Sequence, residues 1–580
     1  MVKLPFATLR RSPSSFGHAD NDKPIRGELC SAERLEQIAA SLAAEHKTVD
    51  QPKRFKLISP RLRDNGEVLL AAYYSLTNAI REENSVSPAA EWLVDNFHII
   101  EEQLREIRED LPSGYYRELP KLTKGEFAGY PRIYAVAMSI IAHTDSRLDV
   151  EALERFLRSY QAVTPLTIGE LWAIAITLRI VLVENLRRFA WRIVQSREQR
   201  EEAEKLSDEL IEIAGKKPDA VLQFMDQRLE KRKDFEPAFV ERFTRQLRDR
   251  DLAIAPAYEW LTSKLQKLGS SIEQSVEAEY QSQATAQVTV GNIITSMRLL
   301  STIDWRTFFE NVSLIDPLFG KDPAKIYSKM TFGTRNRYRE VVERIARRTK
   351  IDELKVARKV IEVSAGAYRR DPSDRRRSHI GFYLIDDGIL EIERAFDYRP
   401  PISERIVSFI LKYPTFSYLG SAALLTAVVT FLLVYTAAYF GASLPLMIAF
   451  GLLSLILASD LALNILNWDF TRVVPPRVLA QIDTSLAIPE NARTFVVIPT
   501  LLTSRSVVDE LVEKLEVYSL ANQDENLFFA VLSDFSDAPL EEMAEDSEII
   551  DLARDRLKKL NEKYGRTTDE KFHLFHRRRQ

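Results

Sequence analysis

Two carboxylates, Asp534 and Asp537, follow the apolar run LFFAVL (527–532), and a Pro499-Thr500 pair closes an earlier apolar run, FVVI (495–498). Short apolar runs that stop at polar turn residues read as buried strands. The intervening stretch SRSVVDELVEKLEVYSLA has the apolar repeat of a helix, so the segment predicts a βαβ unit. Parallel strands joined by a helix leave their carboxyl ends on one edge, where loop amides and side-chain carboxylates receive a ligand. Asp534 and Asp537 can accept a hydrogen bond there from a ribose hydroxyl or a base N–H. The same residues also serve as turn caps, and spacing alone leaves both readings open. Neither G-x-G-x-x-G nor G-x-x-x-x-G-K-[ST] occurs, which counts against dinucleotide and P-loop sites.

Other chemistry-bearing residues read as structural. His379, Asp386 and Asp387 lie in HIGFYLIDDGILEIERAFDYRPP, a strand-like run, an Asp-Asp-Gly turn and a proline stop, which predicts a hairpin rather than a metal or acid–base site. His573 and His576 alternate with Phe572 and Phe575, the pattern of sheet packing and edge polarity. Cys30 is the only cysteine and the seven histidines are scattered, so there is no internal disulfide and no zinc spacing. A reducing compartment is expected.

The elements that must position these groups are mostly helical. Residues 1–27 are expected to form a mobile tail without a secretory signal, and residues 28–400 a helical region without a fixed-period repeat. Ser87-Pro88 opens a helix over AAEWLVDNFHIIEEQLREI, and Thr167 with Glu170 forms a capping box ahead of LWAIAITLRIVLVENLRRFAWRIV. Arg179, Glu184, Arg187 and Arg188 mark that second segment as a buried bundle helix rather than a membrane span. The prolines and aromatics of YYRELPKL and GYPRIYA read as packing in helix connections. Residues 331–379 are basic, which suits a solvated helix face or anionic headgroups. The net charge is −4 and no nucleic-acid motif accompanies the basic stretch, so nucleic acid is not expected as a partner.

Residues 418–440 carry no charge, and residues 444–468 carry only Asp460, near their far end. Each is long enough to cross a bilayer as a helix, and the short turn between them makes a transmembrane hairpin (401–472 with its flanks). The turn lacks Lys and Arg, whereas Arg405 and Lys412 precede the hairpin and Arg472 and Arg477 follow it. Both flanks are therefore expected in the cytoplasm, with Asp460 a hydrated interfacial carboxylate.

The stretch from ENARTFVVIPTLLTS to LFFAVLSDFSDAP, with FHLFHRRR after it and YYRELPKL, GYPRIYA and GFYLIDDG before it, resembles the N-terminal part of the cyclic β-1,2-glucan synthase family. The resemblance implies a multidomain bacterial inner-membrane protein. Its parts are a mainly α-helical N-terminal region, a two-helix transmembrane hairpin, and an incomplete α/β GT-A-like nucleotide-sugar-binding domain over 473–580. It further implies a processive, inverting glucosyltransferase that uses UDP-glucose, with Pro499, Thr500 and Asp534 at the uridine, Asp537 as a further candidate, and Tyr564 as a possible acceptor of the first glucose. A divalent cation, Mg or Mn, is implied for the full-length enzyme, as are membrane lipid and downstream regions of the same polypeptide as partners. The D-x-D motif and the catalytic base are expected beyond Gln580, which makes this fragment inactive alone. A non-enzymatic membrane scaffold that binds lipid or a partner is the competing class.

Overall fold

The computed structural model describes residues 23–49, 59–82, 86–110, 113–232, 234–248, 255–474, 476, 478–564 and 570–579. The chain divides into two compact units, one running to Lys321 and including Val341–Glu362, the other taking Asp322–Glu340 and everything from Val363 onward.

The first unit is built on one helix of 49 residues, Ile168–Lys216. The capping box forms as the sequence predicts: Thr167 Oγ1 accepts from the Glu170 amide at 3.2 Å and Glu170 Oε2 accepts from the Thr167 amide at 2.9 Å. The first half of the helix is apolar on nearly every side, and it is buried among Ser59–Arg81, Phe97–Asp110, Arg132–His143 and Ile272–Thr302. The charged second half buries a stripe, Ala203, Ser207, Leu210 and Ala214, its apolar members packed with Phe239, Phe243 and Leu261.

Charges inside the apolar half are held by one another and by partners far away in sequence. Glu184 accepts from Arg61 Nη2 at 2.6 Å, Asn65 Nδ2 at 2.6 Å and Arg188 Nε at 3.0 Å. Glu170 receives both prongs of the Arg132 guanidinium, with Nε at 2.8 Å, and Arg132 also donates to the Pro165 carbonyl. Lys121, fully buried, donates to the Tyr116, Arg117 and Leu119 carbonyls, and its desolvation lowers the ammonium to about 8. The two aromatic-proline motifs thus carry a buried polar network as well as the expected packing, with Tyr130 stacked on Tyr134.

Three sequence expectations need correction. The helix expected over 89–107 is two helices, Pro88–Asp95 and Phe97–Asp110, because Asn96 leaves the helical region (φ −105°, ψ 16°) and its side chain donates to the Trp92 carbonyl. Residues 1–22 of the expected tail lie outside the described residues. Residues 23–27, however, are bound in place: Ile25 is buried, its amide donates to Asn185 Oδ1 at 2.7 Å, and Arg26 pairs with Asp145.

The third correction falls in the second unit. HIGFYLIDDG is not a hairpin; it forms the short helices Ile380–Ile385 and Ile389–Ala395. The buried carboxylate of Asp322 organises this segment by accepting from the Ile326 and Ile380 amides and holding His379 Nδ1 at 2.8 Å, while His379 Nε2 lies 3.0 Å from the Tyr338 hydroxyl. Local β-propensity yields to these tertiary bonds. Gly388 closes the turn by donating to the Phe382 carbonyl, and any Cβ there would meet the Phe382 ring at 2.5 Å. Asp386 and Asp387 pair with Arg376. Nor is the basic stretch wholly solvated, since Arg339 is buried with its guanidinium over the Phe332 ring.

Next come two long apolar helices, Pro414–Tyr439 and Leu444–Val473, each long and apolar enough to cross a membrane. They pack antiparallel through small residues, Gly451, Ser454, Ala458 and Ala462, which allow close approach. Gly441 adopts φ 81° at the turn, where its amide and that of Ala442 satisfy the last helical carbonyls. Arg477, one of the flanking charges, lies outside the described residues.

The remainder is a three-stranded parallel sheet with Leu527–Asp534 central between Thr494–Leu501 and Phe572–His576. Helices Arg505–Ala521 and Asp546–Tyr564 make the two crossovers. Both pack on one face, burying Leu511, Leu515, Leu557 and Leu560 against Phe529, Val531 and Phe572. The other face carries Phe495, Val497, Leu501, Leu532 and Phe575, all exposed.

Candidate functional site at the carboxyl edge of the sheet

Register decides which residues meet at this edge. Pro499 pairs with Leu532, Thr500 with Ser533 and Leu501 with Asp534, so Pro499, Thr500, Ser533 and Asp534 are the last residues of two adjacent strands rather than turn residues beyond them. The Leu502 amide donates to the Asp534 carbonyl at 2.8 Å, and Ser504 caps the following helix by accepting from the Val507 amide. That helix N-terminus therefore opens at the same edge as Asp534. Asp537 is exposed in the loop that follows.

The Asp534 carboxylate is already engaged. Arg577 Nε donates to its Oδ2 at 2.9 Å, and the guanidinium adds a second bond to the same oxygen. The Phe535 amide donates to Oδ1 at 3.0 Å. The Arg577 hydrogen bond and charge hold the carboxyl below its usual range, so it is an acceptor at neutral pH. Beside it Ser533 Oγ lies 2.9 Å from His576 Nδ1, and Arg579 reaches back to the Ser536 carbonyl and to Asp546. Sequence reasoning missed this basic clasp. The cue was the run RRR directly after a strand parallel to the one that ends at Asp534.

Tyr564 stands elsewhere. It ends the second crossover helix, next to the amino ends of the strands, roughly 23 Å of strand length from Asp534. Its hydroxyl donates to Glu516 Oε1 at 2.6 Å, and Lys563 donates to the same oxygen at 2.8 Å. An open groove of about 610 Å³ borders it, lined also by Glu490, Arg493, Asp524, Asn526 and Lys571. Pro499, Thr500, Asp534 and Asp537 thus share one edge, and Tyr564 does not join them. His573 packs edge-on against Phe495. Among the described residues no group of three or more His, Cys, Asp or Glu side chains is placed to hold a metal ion.

The architecture defines a mainly helical protein in which a pair of apolar helices precedes a parallel α/β layer, with acceptor groups at the layer's carboxyl edge. No family model matches the chain. It is 33% identical over 583 residues to the cyclic beta-(1,2)-glucan synthase NdvB of Rhizobium meliloti (strain 1021), a match that covers 99% of this chain and 20% of that protein. The chain is a homologue of that glucan synthase family, and it spans about one fifth of the length of the relative it matches.

Proposed function

We propose that this chain supplies the membrane-proximal, donor-binding part of a processive inverting glucosyltransferase that draws on UDP-glucose to make cyclic β-1,2-glucan. The observation that carries the reading is the pairing of Thr500 with Ser533 and Leu501 with Asp534, which brings the strand-end residues Pro499 and Thr500 and an ionised acceptor to one edge of the parallel layer. On this reading the uridine moiety replaces the Arg577 donors at Asp534, with Asp537 as a further acceptor in the loop. The displaced guanidinium is left beside the diphosphate, where it is a suitable partner. The cation's ligands and the base that deprotonates the acceptor are assigned to the part of the relative's length that this chain does not span. The acceptor role of Tyr564 calls for a glucosyl donor delivered to the opposite edge, with Glu516 taking the phenolic proton.

The reading includes a bilayer crossed twice by the apolar helices, both flanks cytoplasmic, since the turn has no Lys or Arg while Arg405, Lys412 and Arg472 flank the pair. UDP-glucose and the strand edge are then on the same side.

Two measurements test it. Incubated with labelled UDP-glucose and magnesium, the 580-residue chain is expected to give no polymer; polymer would overturn the assignment of the base and cation site to other regions. In the full-length enzyme, Asp534→Ala is expected to weaken UDP binding roughly tenfold, the loss of one charge-assisted hydrogen bond. Unchanged affinity would remove Asp534 from the donor site.

A further inference from the structure

Ahead of the apolar hairpin stands an 11-residue helix, Ile402–Lys412, with no buried residue. Ile402, Ile406, Phe409 and the following Tyr413 are spaced by four, three and four residues, so they fall on one stripe. They are 75%, 51%, 50% and 47% exposed. Glu404 and Ser408 lie on the far side together with Leu411, and Arg405 and Lys412 border the stripe along one edge. Glu404 and Arg405 tether the helix to the rest of its unit: Tyr398, itself buried, donates from its hydroxyl to Glu404 Oε2 at 2.8 Å, and Arg405 Nε donates to the Pro400 carbonyl at 3.1 Å. The apolar stripe therefore faces away from the protein segment that holds the helix.

We infer that Ile402–Lys412 is an interfacial helix, lying in the headgroup layer of a bilayer with Ile402, Ile406, Phe409 and Tyr413 turned toward the acyl chains. Continuity with the hairpin identifies the occupant, and the inference rests on the reading that the hairpin crosses a membrane. A single residue separates the two helices: Tyr413 leaves the helical region (φ −127°, ψ 61°) because it precedes Pro414, so the axis can turn from along the surface into the bilayer. At 11 residues the helix is roughly 16 Å long, half of what a span needs. Arg405 and Lys412 flank the stripe at the depth of lipid phosphates, and Lys412 Nζ lies 5.5 Å from the Tyr413 ring, an aromatic and a cation together at the boundary. The helix would set the depth and tilt at which the hairpin enters the bilayer.

The test uses the full chain with Cys30→Ser and one new cysteine, Phe409→Cys or Ser408→Cys, carrying a polarity-sensitive fluorophore in vesicles of phosphatidylethanolamine and phosphatidylglycerol. At position 409 the emission is expected to shift to the blue, and a spin-labelled lipid with its label just below the headgroups is expected to quench most of it; at 408 both effects are expected to be absent. Val428→Cys in the hairpin is the control, quenched by a deep label. A deep signal at 428 with an aqueous signal at 409 would overturn the interfacial helix alone, whereas an aqueous signal at 428 would overturn the hairpin reading on which it stands. A blue shift at 409 without lipid quenching would show protein as the occupant and equally overturn the inference.

Discussion

Glu184→Ala is expected to destabilise the helical unit by roughly 3–5 kcal/mol, the usual loss when one member of a buried charged cluster is removed. Glu184 is 1% exposed and receives donors from Arg61, Asn65 and Arg188, so truncation strands two guanidinium groups in an apolar helix interface. Burial pushes its carboxyl up, but the Arg61 hydrogen bonds and charge, with Arg188 and Asn65, outweigh burial and hold it at about 2, against 4.5 for an ordinary glutamate. A depressed acid stabilises the fold fully above its unfolded value and loses that contribution as pH falls through the folded one. The wild-type advantage over Glu184→Ala is therefore expected to hold at neutral pH and to shrink by roughly 3 kcal/mol between pH 4.5 and about 2. Hydrogen exchange of the amides around Glu184 reads it directly. A difference independent of pH would mean that the ionised carboxylate contributes nothing.

Arg132→Met is expected to cost a comparable amount, roughly 3–5 kcal/mol, by a different route. Arg132 is 4% exposed and Glu170 fully buried, and Glu170 also closes the capping box at Thr167. Methionine fills the space but leaves an anion without its counter-charge at the start of the 49-residue helix. The double variant Arg132→Met with Glu170→Gln is expected to recover most of the loss, because a neutral amide at 170 still bonds the Thr167 amide and no buried charge remains. Thermal melting of the four variants yields the coupling. Additive losses would show that the pair acts only through packing.

Features written in adjacent residues were legible from the sequence. The Thr167–Glu170 cap, the apolar helices around Gly441, and the strand–helix–strand order from Phe495 to Asp534 are each set by residues within one continuous stretch of chain. The ion pairs were not: Arg61 and Glu184 lie 123 residues apart, and a chain with 80 basic and 84 acidic residues offers too many partners for spacing to select one. The charges inside the apolar half of the long helix announced that partners exist without naming them. GFYLIDDG was misread because β-branched and aromatic residues suggest strands, whereas one buried carboxylate, Asp322, fixes the segment as helix from outside. At the candidate site the edge position of Asp534 was foreseeable. Its occupation by Arg577, 43 residues on, was not.

The one-sided sheet bears on the timing of synthesis. A parallel strand has no partner until its crossover has been made, so Thr494–Leu501 cannot pair before Leu527–Asp534 leaves the ribosome. Closing the layer needs a further helix and Phe572–His576. With about 33 residues between the ends of the first and second strands, translation at roughly 5–20 residues per second leaves the edge of Thr494–Leu501 unpaired for roughly 2–7 s. On the proposed topology the apolar helices have already emerged by then, and the waiting strand is tethered close to the lipid surface. Slow codons in this interval would prolong the exposure of a sticky edge, so the pace of elongation, rather than final stability, governs the yield of correctly paired sheet.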